Sequence, residues 1–258
     1  MDLGIAGRWA IVAGSTKGLG RACAESLARE GVNLVINSRT PADCEEAASA
    51  LRVTGVEVRA VVADVSTALG RAELVAACEA PDILVTNCAG PPPTAFTANT
   101  PEQWQEAFDT NFHSAVGLIA MVVPGMRERR FGRIVNITSA MVTTPHPFMT
   151  LSIAARTALT GVAKAVSKEV AADNVTINNL LPERIDTGRQ REMAELQVEI
   201  RGITLDEAYA EMAASITARR LGRPEEVGDT CAFLCGSQSG FLTGQNIHLD
   251  GGSYDGLV

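Results

Sequence analysis

Three glycines in residues 9–20, which read WAIVAGSTKGLG, are the first residues that could do chemistry. Gly14, Gly18 and Gly20 follow a short apolar run and introduce a segment with helical residue types. Glycine lets a ligand approach the backbone closely, and the free N–H groups at a helix N-terminus attract phosphate. The stretch therefore predicts a nucleotide phosphate site. A purely structural turn is the alternative, because the spacing differs from the dinucleotide fingerprint G-x-G-x-x-G.

The elements that must position this turn alternate between strands and helices. Apolar runs of strand length predict seven β-strands, at residues 9–13, 31–37, 56–62, 83–86, 133–137, 175–181 and 246–249. Helical patterns occupy residues 19–29, 71–79, 102–130 and 151–172, and two more helices start at Pro41 and Pro224. Thr40 is predicted to cap one helix through its hydroxyl, and Thr100 to open another with a capping box. This alternation predicts an α/β fold with a parallel sheet covered on both faces, whose strand ends share one crevice.

Size and charge restrict the class of partner. The 258 residues are 46% hydrophobic, which suits a single large α/β domain covering residues 1–258. A net charge of -8 argues against nucleic acid and anionic membranes as partners. No apolar stretch approaches the roughly 20 residues that span a bilayer, so we expect a cytoplasmic protein that binds a small molecule. The six cysteines lack C-x-x-C spacing, which favours reduced, packed thiols over a metal site.

Residues 183–218 are polar, helix-prone and weakly periodic, and they follow a predicted strand end directly. A lid that closes over a substrate fits this pattern. An exposed helical insertion fits it equally well, so both interpretations stay open at this point.

Polar residues and glycines recur at the predicted strand ends in a fixed order. They are Gly14, Gly18 and Gly20, then Asp64, then Asn87-Cys88-Ala89-Gly90, then Asn111, Ser139, Ile185 and Thr187, and finally Thr243-Gly244-Gln245. This order and spacing resemble the short-chain dehydrogenase/reductase family over nearly the whole chain. The resemblance implies a Rossmann-like, doubly wound parallel sheet of seven strands with helices on both faces, and a dinucleotide cofactor.

The resemblance also implies which residues hold the cofactor. The pyrophosphate would lie on the glycine turn, formed by Gly14, Ser15, Thr16, Lys17, Gly18, Leu19 and Gly20. The other implied contacts are Asp64 and Val65 for adenine, Asn87, Ala89 and Gly90 for the adenosine ribose, and Pro182, Ile185 and Thr187 for the nicotinamide. Glu183 stands where the family usually has glycine, and a side chain there can crowd or reposition the nicotinamide.

The charges after the second strand favour NADP(H) over NAD(H). An acidic residue there would bind a ribose diol and repel a 2′-phosphate. The chain has Ser38 and Arg39 instead, with Lys17 in the glycine turn. Arg39 can pair with phosphate through its planar fork, and Lys17 adds a point charge. The alternative is that both cations are merely solvated.

The catalytic pattern departs from that of the family. Ser139 and Asn111 match its serine and asparagine, but Ser152 and Arg156 stand where the resemblance implies a tyrosine and a lysine. A serine hydroxyl is shorter than a phenol and a much weaker acid, since a phenol has a pKa of about 10. Arg156 can bind the nicotinamide ribose and stabilise an oxyanion, but it cannot readily relay a proton.

Three sources could supply the missing proton: His146, in a substrate-contact region of the family, Tyr209, in the segment 183–218, and water. We predict an NADP(H)-dependent oxidoreductase that resembles β-ketoacyl-acyl-carrier-protein reductases and interconverts a carbonyl and an alcohol. The alternatives are a cofactor-binding sensor or partner subunit with little turnover, and an enzyme with non-redox chemistry. The resemblance further implies a homotetramer or dimer, assembled through segments 102–130 and 151–172 and the last strand.

Overall fold

The computed structural model describes residues 1–257 and contains a parallel sheet of seven strands. The strands are β1 Trp9–Val12, β2 Asn33–Ser38, β3 Val58–Val62, β4 Ile83–Thr86, β5 Gly132–Ile137, β6 Val175–Pro182 and β7 Asn246–Leu249. Their order across the sheet is β3-β2-β1-β4-β5-β6-β7. The strand order reverses between β1 and β4, which is where open α/β sheets bind ligands. The predicted doubly wound sheet is confirmed.

Helices cover both faces of the sheet and enclose one apolar core on each. They are α1 Gly18–Arg29, α2 Pro41–Arg52, α3 Ala68–Ala76, α4 Pro101–Phe108, α5 Ser114–Glu128, α6 Thr150–Val170, α7 Gly188–Arg201, α8 Leu205–Ala214 and α9 Pro224–Cys235. Leu27 and Val227 lie in one core, and Leu118 and Leu159 in the other. Burying one such side chain contributes about 1.5–3 kcal/mol relative to exposure, so the sheet is a rigid base for the loops at its edge.

Two predictions about the helices are wrong. Thr40 precedes α2, but its side chain forms no capping hydrogen bond; its backbone N–H instead donates to Ser38 Oγ at 3.2 Å. The segment 102–130 is not one helix, because a π-helical turn, Asp109–His113, separates α4 from α5. The capping box that Thr100 forms with Gln103 at the start of α4 is confirmed.

Residues 183–218, called the lid segment below, contain α7 and α8. These helices pack on each other through a small apolar cluster around Ala194, Ala208 and Met212. Ile185 pairs with Gly222 in an isolated parallel bridge that fixes the base of the segment. The weak periodicity of this sequence follows from the small size of the cluster, since most side chains of both helices remain outside it.

The six cysteines were predicted to be packed thiols. All six are free, and five of them are buried. Within residues 1–257, no group of three or more His, Cys, Asp or Glu residues is arranged to hold a metal ion. No helix in that range has the length and apolar character needed to cross a membrane.

Candidate active site

The residues predicted to hold a cofactor lie at one edge of the sheet. They follow β1 (Gly14, Ser15, Thr16, Lys17, Gly18, Leu19 and Gly20), end or follow β2 (Ser38 and Arg39), follow β3 (Asp64 and Val65), follow β4 (Asn87, Ala89 and Gly90), and end or follow β6 (Pro182, Ile185 and Thr187). Because all seven strands are parallel, their carboxyl ends share this edge. The strand topology thus collects residues that are far apart in the chain.

The glycine turn is fixed by an asparagine from the neighbouring strand end. Asn87, just after β4, donates its side-chain amide to Gly14 O at 2.9 Å. Gly14 and Gly18 have φ values of 56° and 57°, which other residues rarely adopt. A Cβ on Gly20 would overlap Gly14 O and lie 2.7 Å from the Asn87 amide nitrogen. No side chain within residues 1–257 caps the N-terminus of α1, so its N–H groups are available to an anion.

Asn37 in β2 is a support for this turn that the sequence analysis missed. Its side-chain amide donates to two backbone carbonyls at the end of β3, at 3.1 and 3.0 Å. Its backbone N–H donates to Ser15 Oγ at 2.9 Å, and the Ser15 hydroxyl donates to Val12 O at 2.7 Å. The buried Ser15 side chain therefore anchors the turn to the sheet. An asparagine directly after the apolar run Leu34–Ile36 was the available signal.

Two cations and two carboxylates surround the ends of β2 and β3. Arg39 is exposed directly after β2. Hydrogen bonds from Ser66 and, to a smaller extent, the charge of Arg39 hold the pKa of Asp64 below its ordinary value. Lys17 Nζ lies 2.9 Å from Asp43 Oδ2, and this hydrogen-bonded ion pair raises the pKa of Lys17. The sequence analysis did not foresee that Asp43, in the first turn of α2, partly neutralises Lys17.

Arg156 of α6 lies against the loop that follows β4. A Cβ on Gly90 would lie 3.5 Å from Arg156 Nη2. Burial lowers the pKa of Arg156, and the Cys88 thiol opposes that shift. Burial raises the pKa of Cys88, so this thiol stays neutral, and its Sγ donates to Asn111 Oδ1 at 3.3 Å. Two of the predicted catalytic residues, Arg156 and Asn111, therefore both lie beside the loop that follows β4.

The other two predicted catalytic residues differ in exposure. Ser139 follows β5, is half-buried, and accepts a hydrogen bond from Met141 N at 3.2 Å. Ser152 lies in the first turn of α6 and is 2% exposed. Asn111, in the π-helical turn, is also buried and donates to Ala107 O at 3.3 Å. Ser139 is therefore the more accessible of the two serines.

The lid segment contacts the sheet edge at two places. A Cβ on Gly18 would lie 4.0 Å from the side chain of Thr187, the N-cap residue of α7. In the first turn of α7, Arg189 Nη2 donates to Pro91 O at 2.9 Å, and Pro91 directly follows Gly90. The segment therefore reaches from the glycine turn to the loop beside Arg156.

Glu183, which stands where the resemblance implies a glycine, lines a cleft. Pro182 ends β6, and the Glu183 N–H donates to Leu249 O at 3.0 Å. The Glu183 residue lines a cleft of about 290 Å³ together with Ile185, His248 and other residues of the β6 and β7 ends. The next residue, Arg184, has a φ of 51°, which residues other than glycine rarely adopt.

The protein-side proton donors suggested by the sequence lie in different surroundings. His146 is exposed in the loop before α6, whereas Tyr209 packs in the apolar cluster of the lid segment. His248 in β7 was missed. Its ring stacks on Tyr254 with centroids 4.3 Å apart, and its Nε2 lies 3.5 Å from Thr143 Oγ1 in the loop after Ser139. Only the tertiary structure brings His248 to that loop, so no local sequence signal could have found it.

The chain is similar to several known proteins. A family model described as enoyl-(acyl carrier protein) reductase matches residues 13–254. Dehydrogenase/reductase SDR family member 4 from Bos taurus is 32% identical over 254 residues, which cover 96% of this chain and 88% of that protein. The 3-oxoacyl-(acyl-carrier-protein) reductase FabG from Haemophilus influenzae is 32% identical over 259 residues, with 96% and 98% covered. The crystal structure of L-sorbose reductase from Gluconobacter frateurii, complexed with NADPH and L-sorbose, matches with a TM-score of 0.95 at 30% identity and full coverage of both chains.

Proposed function

The chain belongs to the short-chain dehydrogenase/reductase family, and we propose that it is an NADP(H)-dependent oxidoreductase that interconverts a carbonyl compound and an alcohol. The observation that carries the proposal is the glycine turn, which Asn87 fixes at the uncapped N-terminus of α1. The NADPH complex of a relative with the same fold supports the cofactor. The similarity to a 3-oxoacyl-(acyl-carrier-protein) reductase supports a 3-oxoacyl thioester or related ketone as the substrate.

The residues at the sheet edge fit this cofactor. The glycine turn leaves its backbone open to a phosphate, since a Cβ on Gly18 would meet only the Thr187 side chain, at 4.0 Å. We assign the pyrophosphate to the N-terminus of α1, the 2′-phosphate to Arg39 and Lys17, and the nicotinamide ribose to Arg156. When bound, NADPH supplies a hydride to the carbonyl carbon, and a proton from another source completes the alcohol, leaving NADP⁺.

The chain's own residues are better suited to orienting a carbonyl than to supplying its proton. We assign Ser139 as the hydrogen-bond donor to the carbonyl oxygen and Arg156 as the group that stabilises its developing negative charge. Asn111 holds the Cys88 side chain against Arg156. Ser152 is buried and too weak an acid. We therefore assign the proton to water at Ser139, with His146 and Tyr209 as alternatives.

The same chemistry favours a second function, in which the protein binds NADP(H) with little redox turnover. A guanidinium does not lose its proton in proteins, and a serine hydroxyl that is 2% exposed cannot replace a phenol. In this role the chain acts as a sensor or as a partner subunit in a mixed oligomer.

NADPH oxidation across a panel of ketones and 3-oxoacyl thioesters separates the two functions. The double variant Ser152→Tyr with Arg156→Lys is measured beside the natural protein. Turnover by the natural protein supports the oxidoreductase. Activity confined to the double variant supports the second function, and NADPH binding without turnover in either protein favours non-redox chemistry.

We also propose that residues 1–258 act as one domain, in the cytoplasm, within a homotetramer. The six free cysteines support a reducing compartment. Strand β7 lies at an edge of the sheet, and the neighbouring Phe241 is fully exposed. An open edge strand beside an exposed aromatic side chain supports pairing with a second copy.

A further inference from the structure

Asp250, directly after β7, is the only buried acidic residue among those that the structure describes, and it is 7% exposed. Its carboxylate accepts the backbone N–H groups of Gly252 at 3.0 Å and of Tyr254 at 2.9 Å. The only ion-pair partner of this carboxylate in residues 1–257 is His248, whose Nδ1 lies 3.5 Å from Asp250 Oδ2. Because a buried carboxylate is stable only when it is paired, its positive charge has to come from the protonated ring of His248.

The other nitrogen of the His248 ring faces the short helical turn from Ser139 to Thr143, called the Ser139 turn below. Nε2 lies 3.5 Å from Thr143 Oγ1, and that hydroxyl already donates to Ala140 O at 3.0 Å, so its oxygen can only accept from the ring. A neutral ring with its hydrogen on Nε2 leaves Nδ1, which has no hydrogen-bond partner in residues 1–257, presenting a lone pair to Asp250. A hydrogen on Nδ1 alone leaves Nε2 facing an oxygen with no hydrogen to give. Only the doubly protonated ring satisfies both neighbours.

The turn after β7 joins this histidine to the base of the lid segment. The Tyr254 ring stacks on the His248 ring, with centroids 4.3 Å apart and an interplanar angle of 12°. The carbonyl oxygen of Gly251 accepts the backbone N–H of Ala218, the last residue of the lid segment, at 3.0 Å. A series of contacts therefore runs from the lid segment, through the turn after β7 and the His248 ring, to the Ser139 turn.

The remaining charged side chains near the histidine ring line the cleft of about 290 Å³ at the β6 and β7 ends. They are Glu183 after β6, Arg220 at the base of the lid segment and Glu226 in α9. Arg220 pairs with Glu226 at 2.7 Å, so the charge of this cation is balanced within the cleft. Glu183 adds a further carboxylate to the cleft wall, which favours a positive charge on the neighbouring imidazole.

We propose that His248 is a positioning residue, which in its doubly protonated form clamps the Ser139 turn and the base of the lid segment to the turn after β7. This inference rests on the proposed oxidoreductase function, in which Ser139 donates a hydrogen bond to the carbonyl oxygen. His248 acts through Thr143 and transfers no proton to the substrate, so its role is separate from that of the proton source. A histidine changes its charge between about pH 5 and 8, so loss of its proton in alkali releases the clamp.

Hydrogen exchange measured by mass spectrometry tests the clamp without any turnover. The natural protein is compared with His248→Gln, whose amide can reach Thr143 but cannot pair with Asp250 as a cation. At about pH 5.5 we expect the amides of residues 139–149 and 214–222 to exchange at least about 3-fold faster in the variant. At about pH 8.5 we expect the two proteins to exchange at the same rate, because the natural histidine is then neutral as well.

Kinetics provide a readout that a purely structural role would not move. For a ketone that the natural protein reduces, His248→Gln should lower kcat at least about 3-fold at about pH 5.5 and leave the Kd for NADPH within about 2-fold. His248→Asn, whose shorter amide can reach Asp250 but not Thr143, should show the same loss of kcat. His113→Gln changes an exposed histidine in the π-helical turn and is the control, which should behave like the natural protein.

Nitrogen NMR of the natural protein needs no variant. As the pH rises from about 5.5 to 8.5, Nδ1 of His248 should lose its hydrogen and Nε2 should keep it. Loss of the hydrogen from Nε2 instead would overturn the inference. So would equal exchange in the natural protein and His248→Gln at the lower pH, or a difference of the same size at both pH values. An exchange difference confined to the lower pH, without reduction of any carbonyl compound, supports the clamp and rejects the oxidoreductase function instead.

Discussion

The side-chain amide of Asn87 donates to the carbonyl oxygen of Gly14 at 2.9 Å and thereby joins the end of β4 to the turn after β1. These two strands are neighbours in the sheet, at the point where the strand order reverses. The contact leaves no room for a side chain on Gly20, whose Cβ would lie 2.7 Å from the same amide nitrogen. The shape of the phosphate site therefore depends on one asparagine and on glycines that tolerate its proximity.

The variant Gly20→Ala tests this dependence. Overpacking at such a contact lowers the free energy of unfolding by about 1–3 kcal/mol. Because the displaced atoms shape the turn, we also expect NADPH affinity to fall at least about 10-fold, a loss of about 1.4 kcal/mol. The matched control is Gly161→Ala in α6, where a Cβ would meet nothing within 4 Å. It should raise the free energy of unfolding by about 0.5–1 kcal/mol and leave NADPH binding unchanged. Denaturant unfolding measures the free energy of unfolding, and titration measures the NADPH affinity. Equal changes of these two quantities in Gly20→Ala and Gly161→Ala would contradict the prediction.

Arg39 should discriminate between the two cofactors. A charge-assisted hydrogen bond to the 2′-phosphate contributes about 1.5–3 kcal/mol, so Arg39→Ala should raise the Kd for NADPH about 10- to 100-fold. NADH has no 2′-phosphate, and its Kd should change by less than about 2-fold. Fluorescence titration with both cofactors provides the measurement. An equal loss for NADPH and NADH would show that Arg39 does not read the phosphate.

A substitution of Asp43 should strengthen NADPH binding, whereas the substitution of Arg39 should weaken it. The Asp43 carboxylate pairs with Lys17 at 2.9 Å and partly neutralises that cation. Asp43→Asn should free Lys17 and increase NADPH affinity by a few-fold, and added salt should weaken this gain because the lysine is exposed. Titrations with NADPH at low and high ionic strength measure this gain in affinity and its dependence on salt. Weaker NADPH binding in Asp43→Asn would mean that the ion pair positions Lys17 productively.

Glu226 makes the base of the lid segment sensitive to acid. Hydrogen bonds from Arg220 and from the backbone N–H of Arg223 lower the pKa of its carboxyl from 4.5 to about 2. Because the folded state has the lower pKa, this stabilisation is present above the unfolded value and is lost as the pH falls from 4.5 through about 2. Glu226→Gln should therefore have a lower Tm than the natural protein at neutral pH, and the difference should shrink across this window. Circular dichroism melts measure this difference in Tm. The control is Glu225→Gln, which changes an exposed neighbour. A difference that persists unchanged in acid would contradict the linkage.

The assembly prediction rests on the sheet edge at β7. We expect light scattering at micromolar concentration to give four times the mass of the chain. Phe241→Asp places a charge beside the edge strand and should dissociate the assembly. Leu69→Asp changes another exposed apolar side chain, on α3, and should not. A monomeric mass for the natural protein would refute the homotetramer.

The strands were predictable because buried parallel strands are continuous apolar runs. β4 and β7 have the predicted bounds, whereas β2 starts at Asn33, after Gly31 has turned the chain with a φ of 76°. The capping box at Thr100 was predictable from four neighbouring residues. The π-helical turn that contains Asn111 was not, since a helical pattern does not reveal where an extra residue is inserted.

The residues of the site were predictable from the sequence, but the contacts between their side chains were not. Strand ends bring Gly14, Asp64 and Asn87 together, and that follows from topology alone. The pairing of Lys17 with Asp43 and of Arg156 with Cys88 depends on side-chain directions between separate elements. These contacts decide which cations remain free, so the sequence could name the cationic residues but not their available charge.

Isotope transfer is the most direct test of the oxidoreductase. NADPH deuterated at the nicotinamide carbon that donates hydride is incubated with the natural protein and with ketones and 3-oxoacyl thioesters, and the alcohols are analysed by mass spectrometry. We predict that the alcohol product carries one deuterium at the former carbonyl carbon. Tight NADPH binding together with no deuterated alcohol from any carbonyl compound would contradict the proposed function.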